Sequence, residues 1–171
     1  MSASASPVAI ATPHFVQFVP MRSDDLDAVA ALEALIYPYP WTRGNFADSL
    51  AAGYSAWLML ADGALAGYAL MTLVLDEAQL LNISVVQQKQ RAGLGSRLLQ
   101  HLFVVARSHG ATRIYLEVRR SNVAALEFYH RHEFAAIGER RAYYPADRGR
   151  EDAIVLARNL NVAQAAAGGR T

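Results

Sequence analysis

A chain of 171 residues, 53% of them hydrophobic and with a net charge of +1, is long enough to bury one sizeable core. The near-balanced charge excludes a protein held to polyanions by bulk electrostatics, so no direct nucleic-acid partner is expected. The absence of cysteine excludes a thiol nucleophile, a thiolate metal site and a disulfide framework, and it fits a reducing, cytoplasmic setting. No apolar run is long enough to span a membrane, and no membrane partner is expected.

Residues 1–14 are rich in Ser, Ala and Pro and read as a loose extension, without the charged start and apolar stretch of a signal peptide. Residues 161–171, rich in Ala and Gly, read as a frayed tail. A single domain is expected over residues 15–160. Residues 15–21 alternate as a first strand, and Ser23 is a candidate cap for a helix whose apolar stripe is Leu26, Val29, Ala30, Leu32, Leu35 and Ile36. Pro38 and Pro40 break it, and Thr42 can cap a second helix over 43–52. Strands over 56–61 and 65–75 meet at Asp62-Gly63, a hairpin signal, and a further strand runs over 77–86. Leu94, Leu98, Leu99, Leu102 and Val105 recur at helical spacing and stop before Gly110. A strand over 112–118, a helix over 123–131 behind Asn122, and strands over 134–144 and 152–160 follow. This order predicts an α/β (α+β) layer fold, with helices flanking a mixed, mostly antiparallel sheet.

The segment Gln90-Arg91-Ala92-Gly93-Leu94-Gly95 joins a strand to a helix. Glycines let backbone approach a ligand closely, and the free N–H groups and dipole of a helix start attract an anion. The spacing is neither the dinucleotide fingerprint nor the P-loop. It resembles the pyrophosphate loop of the GCN5-related N-acetyltransferases, which implies acetyl-CoA as cosubstrate, with Arg91, Ala92, Gly93, Leu94, Gly95 and Ser96 as its cradle.

Acetyl transfer from a thioester to an amine also needs a polarised carbonyl, a base for the amine and a proton for the departing thiolate. The resemblance implies that backbone of Ile83, Ser84 and Val85 meets the acetyl oxygen and the pantetheine arm, which requires a splay or bulge in that strand. Glu117, on the strand face opposite Leu116 and Val118, is the candidate base; its plainer reading is an exposed carboxylate paired with Arg119 or Arg113. Tyr129 is the candidate acid; its plainer reading is a core tyrosine with a satisfied hydroxyl. A phenol of pKa ~10 can protonate a thiolate whose thiol has pKa ~8.5. Asn122 is an N-cap, a contact to the pantetheine amide, or both.

Further motifs occur in order: Pro40-Trp41, Val74-Leu75-Asp76-Glu77-Ala78, Leu81-Asn82-Ile83, Leu116-Glu117-Val118-Arg119, Ser121-Asn122, Phe128-Tyr129, Arg140-Arg141-Ala142-Tyr143-Tyr144-Pro145 and Gly149-Arg150-Glu151-Asp152-Ala153. Together they are similar to the bacterial ribosomal-protein-alanine acetyltransferases (the RimI family) from about Val19 to Leu160. The resemblance implies acetylation of a protein N-terminus, that of the N-terminal alanine of small-subunit ribosomal protein eighteen. Glu117 falls on the family's base and Tyr129 on its acid. Its peptide groove falls between Tyr37 and Trp41 on one side and Tyr143 and Tyr144 on the other. For these aromatics, turn and core packing is the competing role. Asp76 and Glu77 would suit a basic second residue of the peptide.

An α-amine of pKa ~7.7–8.0 is about 10–20% neutral at pH 7 and a lysine only ~0.04%, which favours the N-terminal acceptor. The alternatives are a lysine or small-amine acetyltransferase and a catalytically silent acyl-CoA-binding module. No metal site is expected: His101, His109, His130 and His132 read as exposed helix residues without ligand partners. Two positions depart from the family pattern. Residues 86–89 lack its usual Asp-Pro and aromatic, and Glu133 stands where it ends the helix with glycine.

Overall fold

Asp62 and Gly63 both take positive φ, 51° and 82°, and turn strand β2 (Ser55–Ala61) back along β3 (Ala64–Val74). This is the primed-turn geometry that matches strand twist. The computed structural model describes residues 13, 15–90 and 92–161. Apart from Pro13 and Asn161, the expected extension and tail lie outside the described residues, as does Arg91.

The other elements are β1 (Val16–Pro20), α1 (Leu26–Ile36), α2 (Arg43–Ala51), β4 (Glu77–Val85), α3 (Leu94–Ser108), β5 (Arg113–Arg119), α4 (Val123–Arg131), β6 (Ala135–Pro145) and β7 (Arg150–Asn159). The strands form one sheet in the order β1-β2-β3-β4-β5-β7-β6. All pairings are antiparallel except β4 with β5. Element order and sheet type match the expectation, with boundaries moved by one or two residues.

Strand alternation sends side chains to two cores. On one face Leu26 and Val29 of α1 and Phe46 of α2 pack with Ala56, Leu58, Tyr68 and Leu70. On the other face Leu98, Leu99, Leu102 and Phe103 of α3 pack with Met71, Leu80, Ile114 and Leu116, and Tyr129 of α4 joins them. The first core ends at the middle of the sheet. Beyond it, the same face of β5, β6 and β7 carries Tyr115, Glu117, Arg140 and Val155, which line an open cleft instead of a helix contact.

The helix starts follow local chemistry. Thr42 Oγ1 accepts from Asn45 N at 3.2 Å, and Asn122 Oδ1 accepts from Ala125 N at 3.1 Å, as the sequence predicted. Ser23 is a correction. It lies inside a short 3₁₀ turn (Ser23–Asp25), and the Asp25 carboxylate closes that turn by accepting from Arg22 N at 2.7 Å. At the end of α4, Glu133 has φ 63°. Phe134 N and Glu133 N donate back to Tyr129 O and His130 O, both at 3.0 Å. The chain thus takes a left-handed residue here, the conformation that favours glycine, and glutamate adopts it at a cost of about 1–2 kcal/mol.

Two of the histidines are not exposed. His101 lies half-buried, stacked on Phe18 at 4.4 Å and edge-on to Trp57 at 4.4 Å. His132 is half-buried with Nε2 2.8 Å from Ser96 Oγ. The helical pattern placed His101 on α3 and His132 just past the end of α4, but gave no sign of the aromatic neighbours that cover them.

Candidate active site

The β4–β5 ladder is short. Glu77–Leu80 pair with Arg113–Leu116, and then the strands part. A bulge drives the divergence: Leu70 pairs with Asn82 and Met71 with Leu80, so Leu81 is extra on β4. The splay expected at residues 83–85 is therefore present, and its cause lies two residues earlier. Tyr68 pairs with Ser84, and Val86 N donates to Ala66 O at 2.8 Å. Residues 84 and 86 thus face β3, so the N–H groups of Ile83 and Val85 point to the open side. Ser84 contributes differently from its neighbours: its buried hydroxyl lies 2.8 Å from Tyr37 Oη.

The turn ahead of α3 adjoins this opening. Gly93 holds φ 75°, and no side chain caps the helix among the described residues, which leaves first-turn N–H groups for a ligand. A Cβ at Gly95 would stand 3.4 Å from the Phe128 ring, an ordinary contact distance, so α4 packs directly against the start of α3 beneath the turn. Ala92, Leu94 and Ser96 share this turn. Open-edge N–H groups and an uncapped helix start behind a left-handed glycine together fit a pantetheine arm and its pyrophosphate.

Glu117 is the first residue of β5 beyond Leu116, the last one paired to β4, and on its other side it still pairs with Val155 of β7. Its side chain is only 9% exposed. Neither Arg119 nor Arg113 is its partner, correcting the sequence expectation: Arg140 Nε stands 3.1 Å from Oε1, and Gln79 Nε2 donates to Oε2 at 3.1 Å. Arg119 is turned instead to Pro145 O at 2.6 Å and to Glu151 at 3.3 Å. Glu117, Gln79, Arg140, Glu77, Tyr115 and Val155 line a cleft of ≈ 270 Å³. Glu77 is on its rim and accepts from Tyr115 Oη at 2.9 Å. Asp76 is not among the lining residues; it sits in the β3–β4 turn, where its carbonyl accepts from Thr112 N at 2.7 Å.

Three phenols gather where the strands part. Tyr144 donates to the Glu117 carbonyl at 3.0 Å, and Tyr37 reaches Ser84 and the Ile83 carbonyl on the opposite strand. Tyr129 lies near enough to feel both. Burial, the largest cause, pushes the Tyr129 hydroxyl well above the usual phenol range, and the Tyr37 and Tyr144 hydroxyls are raised by burial too. Among the described residues the Tyr129 hydroxyl has no hydrogen-bond partner. The ring is core, as the plainer reading of Tyr129 has it, but its hydroxyl is not satisfied there as that reading expects.

Trp41 follows the packing alternative, half-buried against Phe46 at 5.4 Å. Tyr143 is exposed and packs edge-on to Tyr144 at 4.8 Å. Both tyrosines sit in a wide bulge, where Arg140 and Tyr144 of β6 face the adjacent-but-one Ala153 and Glu151 of β7. The Arg150-Glu151-Asp152 motif builds that bulge. Asp152 accepts from Ala142 N at 2.8 Å, Arg150 donates to the Ala142 and Tyr143 carbonyls at 2.6 Å each, and Glu151 accepts from Ser121 N at 2.7 Å. The Ser121 hydrogen bonds, aided by Arg119, hold the Glu151 carboxyl below its ordinary range. Gln79 and the buried Glu33 were not singled out in the sequence, because no local spacing marks them; Arg119 and Arg140 stood in the motifs without these partners.

Such a diverging parallel pair beside a glycine turn is the architecture of acetyl-CoA-dependent acyl transfer. The chain belongs to the acetyltransferase (GNAT) family, whose profile matches residues 26–134. Within it, the chain is 39% identical over 137 residues to the ribosomal protein bS18-alanine N-acetyltransferase of Escherichia coli strain K12, covering 80% of this chain and 93% of that protein. It is 31% identical over 134 residues to the enzyme of the same name from Haemophilus influenzae, covering 78% and 91%. The crystal structure of the E. coli ribosomal-protein-S18-alanine N-acetyltransferase superposes with a TM-score of 0.81 at 36% identity, covering 87% of this chain and 96% of that one. No helix among the described residues is long and apolar enough to cross a membrane.

Proposed function

We propose that this protein transfers an acetyl group from acetyl-CoA to the N-terminal α-amine of a protein, with the N-terminal alanine of ribosomal protein bS18 as substrate. The observation that carries the reading is the place of Glu117. It is the first β5 residue past the ladder to β4 and faces a cleft on one side of the sheet, while Tyr129 belongs to the core on the other. The identity to relatives bearing that name supports the substrate.

Acetyl-CoA supplies the acetyl group and a thiolate leaving group. The N–H groups of Ile83 and Val85 are the donors for the thioester oxygen and the pantetheine arm. Ala92, Gly93, Leu94, Gly95, Ser96 and Arg91 hold the pyrophosphate, and Asn122 combines its capping role with a contact to the arm. Glu117 accepts a proton from the entering ammonium, directly or through one water, and the neutral amine can then attack. As the C–N bond forms and the C–S bond breaks, the Tyr129 hydroxyl gives its proton to the departing sulfur, and the second proton that the attacking nitrogen must lose goes back to the Tyr129 phenolate, directly or through water, leaving a neutral amide. A raised phenol pKa keeps that proton in place at neutral pH. Tyr37, Tyr143 and Tyr144 form the walls for the acceptor, and Glu77 on the rim favours a basic second residue. Trp41 backs the first wall by packing.

The test uses two peptides with acetyl-CoA, read by mass spectrometry. One begins with a free Ala-Arg; the other has a blocked N-terminus and an internal lysine. Acetylation of the first alone is the expected result. Acetylation of the second alone would place the enzyme among lysine acetyltransferases, and coenzyme binding with no transfer to either would favour a silent module.

A further inference from the structure

Glu33, in the last turn of α1, is 2% exposed. Burying a carboxylate is costly unless hydrogen bonds replace its water. Three donors from three other parts of the chain converge on it. Trp41 N donates to Oε1 at 3.0 Å, Asn82 Nδ2 donates to Oε2 at 3.1 Å, and the Tyr68 hydroxyl donates to Oε2. Nothing in the chemistry proposed above uses this group.

Its partners continue into the site. Asn82 Oδ1 accepts from Ser84 Oγ at 3.3 Å, and Ser84 Oγ lies 2.8 Å from Tyr37 Oη, which also reaches the Ile83 carbonyl at 3.3 Å. With its N–H₂ committed to Glu33, the Asn82 amide can only present oxygen to Ser84. Glu33 thereby sets the direction of the chain of hydrogen bonds that ends at Tyr37, beside Tyr129. Through Trp41 N it also fastens the far end of residues 37–41, a segment that contains two prolines and belongs to no ladder.

We propose that Glu33 is a positioning residue for the acceptor: its carboxylate clamps the Tyr37-to-Trp41 wall onto β4. The inference rests on the acetyltransferase reading. It separates the two substrates on physical grounds. Strand β4 stays fixed by its ladder to β3, through Leu70–Asn82, Ala69–Ile83 and Tyr68–Ser84, whatever occupies position 33. The 37–41 wall belongs to no ladder and is otherwise held by side-chain contacts, Tyr37 on Ser84, Tyr39 on Asp147 and Trp41 on Phe46, so loss of Glu33 acts on the acceptor side.

The experiment compares wild type, Glu33→Gln and Tyr68→Phe in steady-state kinetics on the Ala-Arg peptide, with coenzyme A binding by calorimetry and thermal unfolding alongside. Glu33→Gln places an N–H₂ among three donors. It is expected to raise the acceptor KM about tenfold while the coenzyme Kd stays within about twofold. Tyr68→Phe loses a buried hydrogen bond but keeps the Trp41 contact; its melting temperature falls and its acceptor KM stays within about twofold. If Glu33→Gln does not fold, Glu33→Asp takes its place: the shortened carboxylate no longer reaches Trp41 N, and the same rise in acceptor KM is expected. An unchanged acceptor KM in the folded variant, or an equal rise for Tyr68→Phe, overturns the inference. A wild type that transfers nothing to the peptide overturns the acetyltransferase reading instead.

Discussion

The Nε atom of Arg140 lies 3.1 Å from the Glu117 carboxylate, so the sheet's edge strand reaches across β7 to a group on β5. Arg140 is half exposed, whereas Glu117 is almost covered. The pair is thus open to solvent on the arginine side.

Replacing Glu117 by glutamine keeps the contact volume and the Gln79 neighbour but removes the proton acceptor. Turnover is expected to fall about 100-fold or more, the usual worth of a positioned base. Coenzyme A affinity by calorimetry stays unchanged, because the open-edge N–H groups and the glycine turn are untouched. Equal loss of turnover and affinity would remove Glu117 from catalysis.

Tyr129→Phe preserves the ring that packs beside Phe134 and Phe128. It is expected to lower kcat about 100-fold while shifting stability by no more than about 1 kcal/mol. Burial raises the phenol pKa above 10, so the hydroxyl stays protonated through pH 9. The wild-type kcat should therefore show no alkaline decline below that pH that disappears in Tyr129→Phe. Such a decline, measured by a pH series, would contradict its role as acid.

Glu133 at φ 63° carries a strain that glycine does not. Its 2.7 Å ion pair with Arg158 is mostly exposed on the glutamate side, and an exposed pair is worth about 0–1 kcal/mol. Glu133→Gly is therefore expected to stabilise by about 0.5–1 kcal/mol in urea unfolding. Glu133→Ala loses the pair without relieving the backbone, and it should be the less stable of the two.

Burial lowers the pKa of both His101 and His132; for His132 the nearby Arg158 and Arg131 add to it. Depressed folded values mean that the unfolded chain binds more protons, so stability rises with pH across this range. The contribution is present above the unfolded value of about 6.5 and is lost as pH falls from there toward the folded values. Melting temperatures at pH 7.5 and 5.5 should show the decline. A double variant, His101→Gln with His132→Gln, should show less of it, and an identical decline would rule out these histidines as its source.

Elements and cores were readable because they depend on local period and local turn chemistry. The Leu94-to-Val105 spacing marked α3, and Asp62-Gly63 marked the β2–β3 turn. The Tyr-Tyr-Pro and Gly-Arg-Glu-Asp segments identified the family, although their physical work, the bulge that orients Tyr143 and Tyr144, emerges only when β6 lies against β7. The partner of Glu117 was misassigned because a strand's own neighbours, Arg113 and Arg119, are close in sequence, while Arg140 arrives through sheet order. Asp76 was grouped with Glu77 by adjacency, yet strand alternation and the turn send only Glu77 to the cleft. Glu33 gave no local signal. A glutamate in a helix is ordinarily solvated, and only the packing of α1 on β3 and β4 buries it.

The most direct test of the central claim is incubation of unacetylated, full-length ribosomal protein bS18 with this protein and acetyl-CoA, followed by tandem mass spectrometry. The account expects one acetyl group, on the N-terminal alanine, that is lost with Glu117→Gln. An acetyl group carried by lysine side chains, or transfer undiminished in that variant, would contradict it.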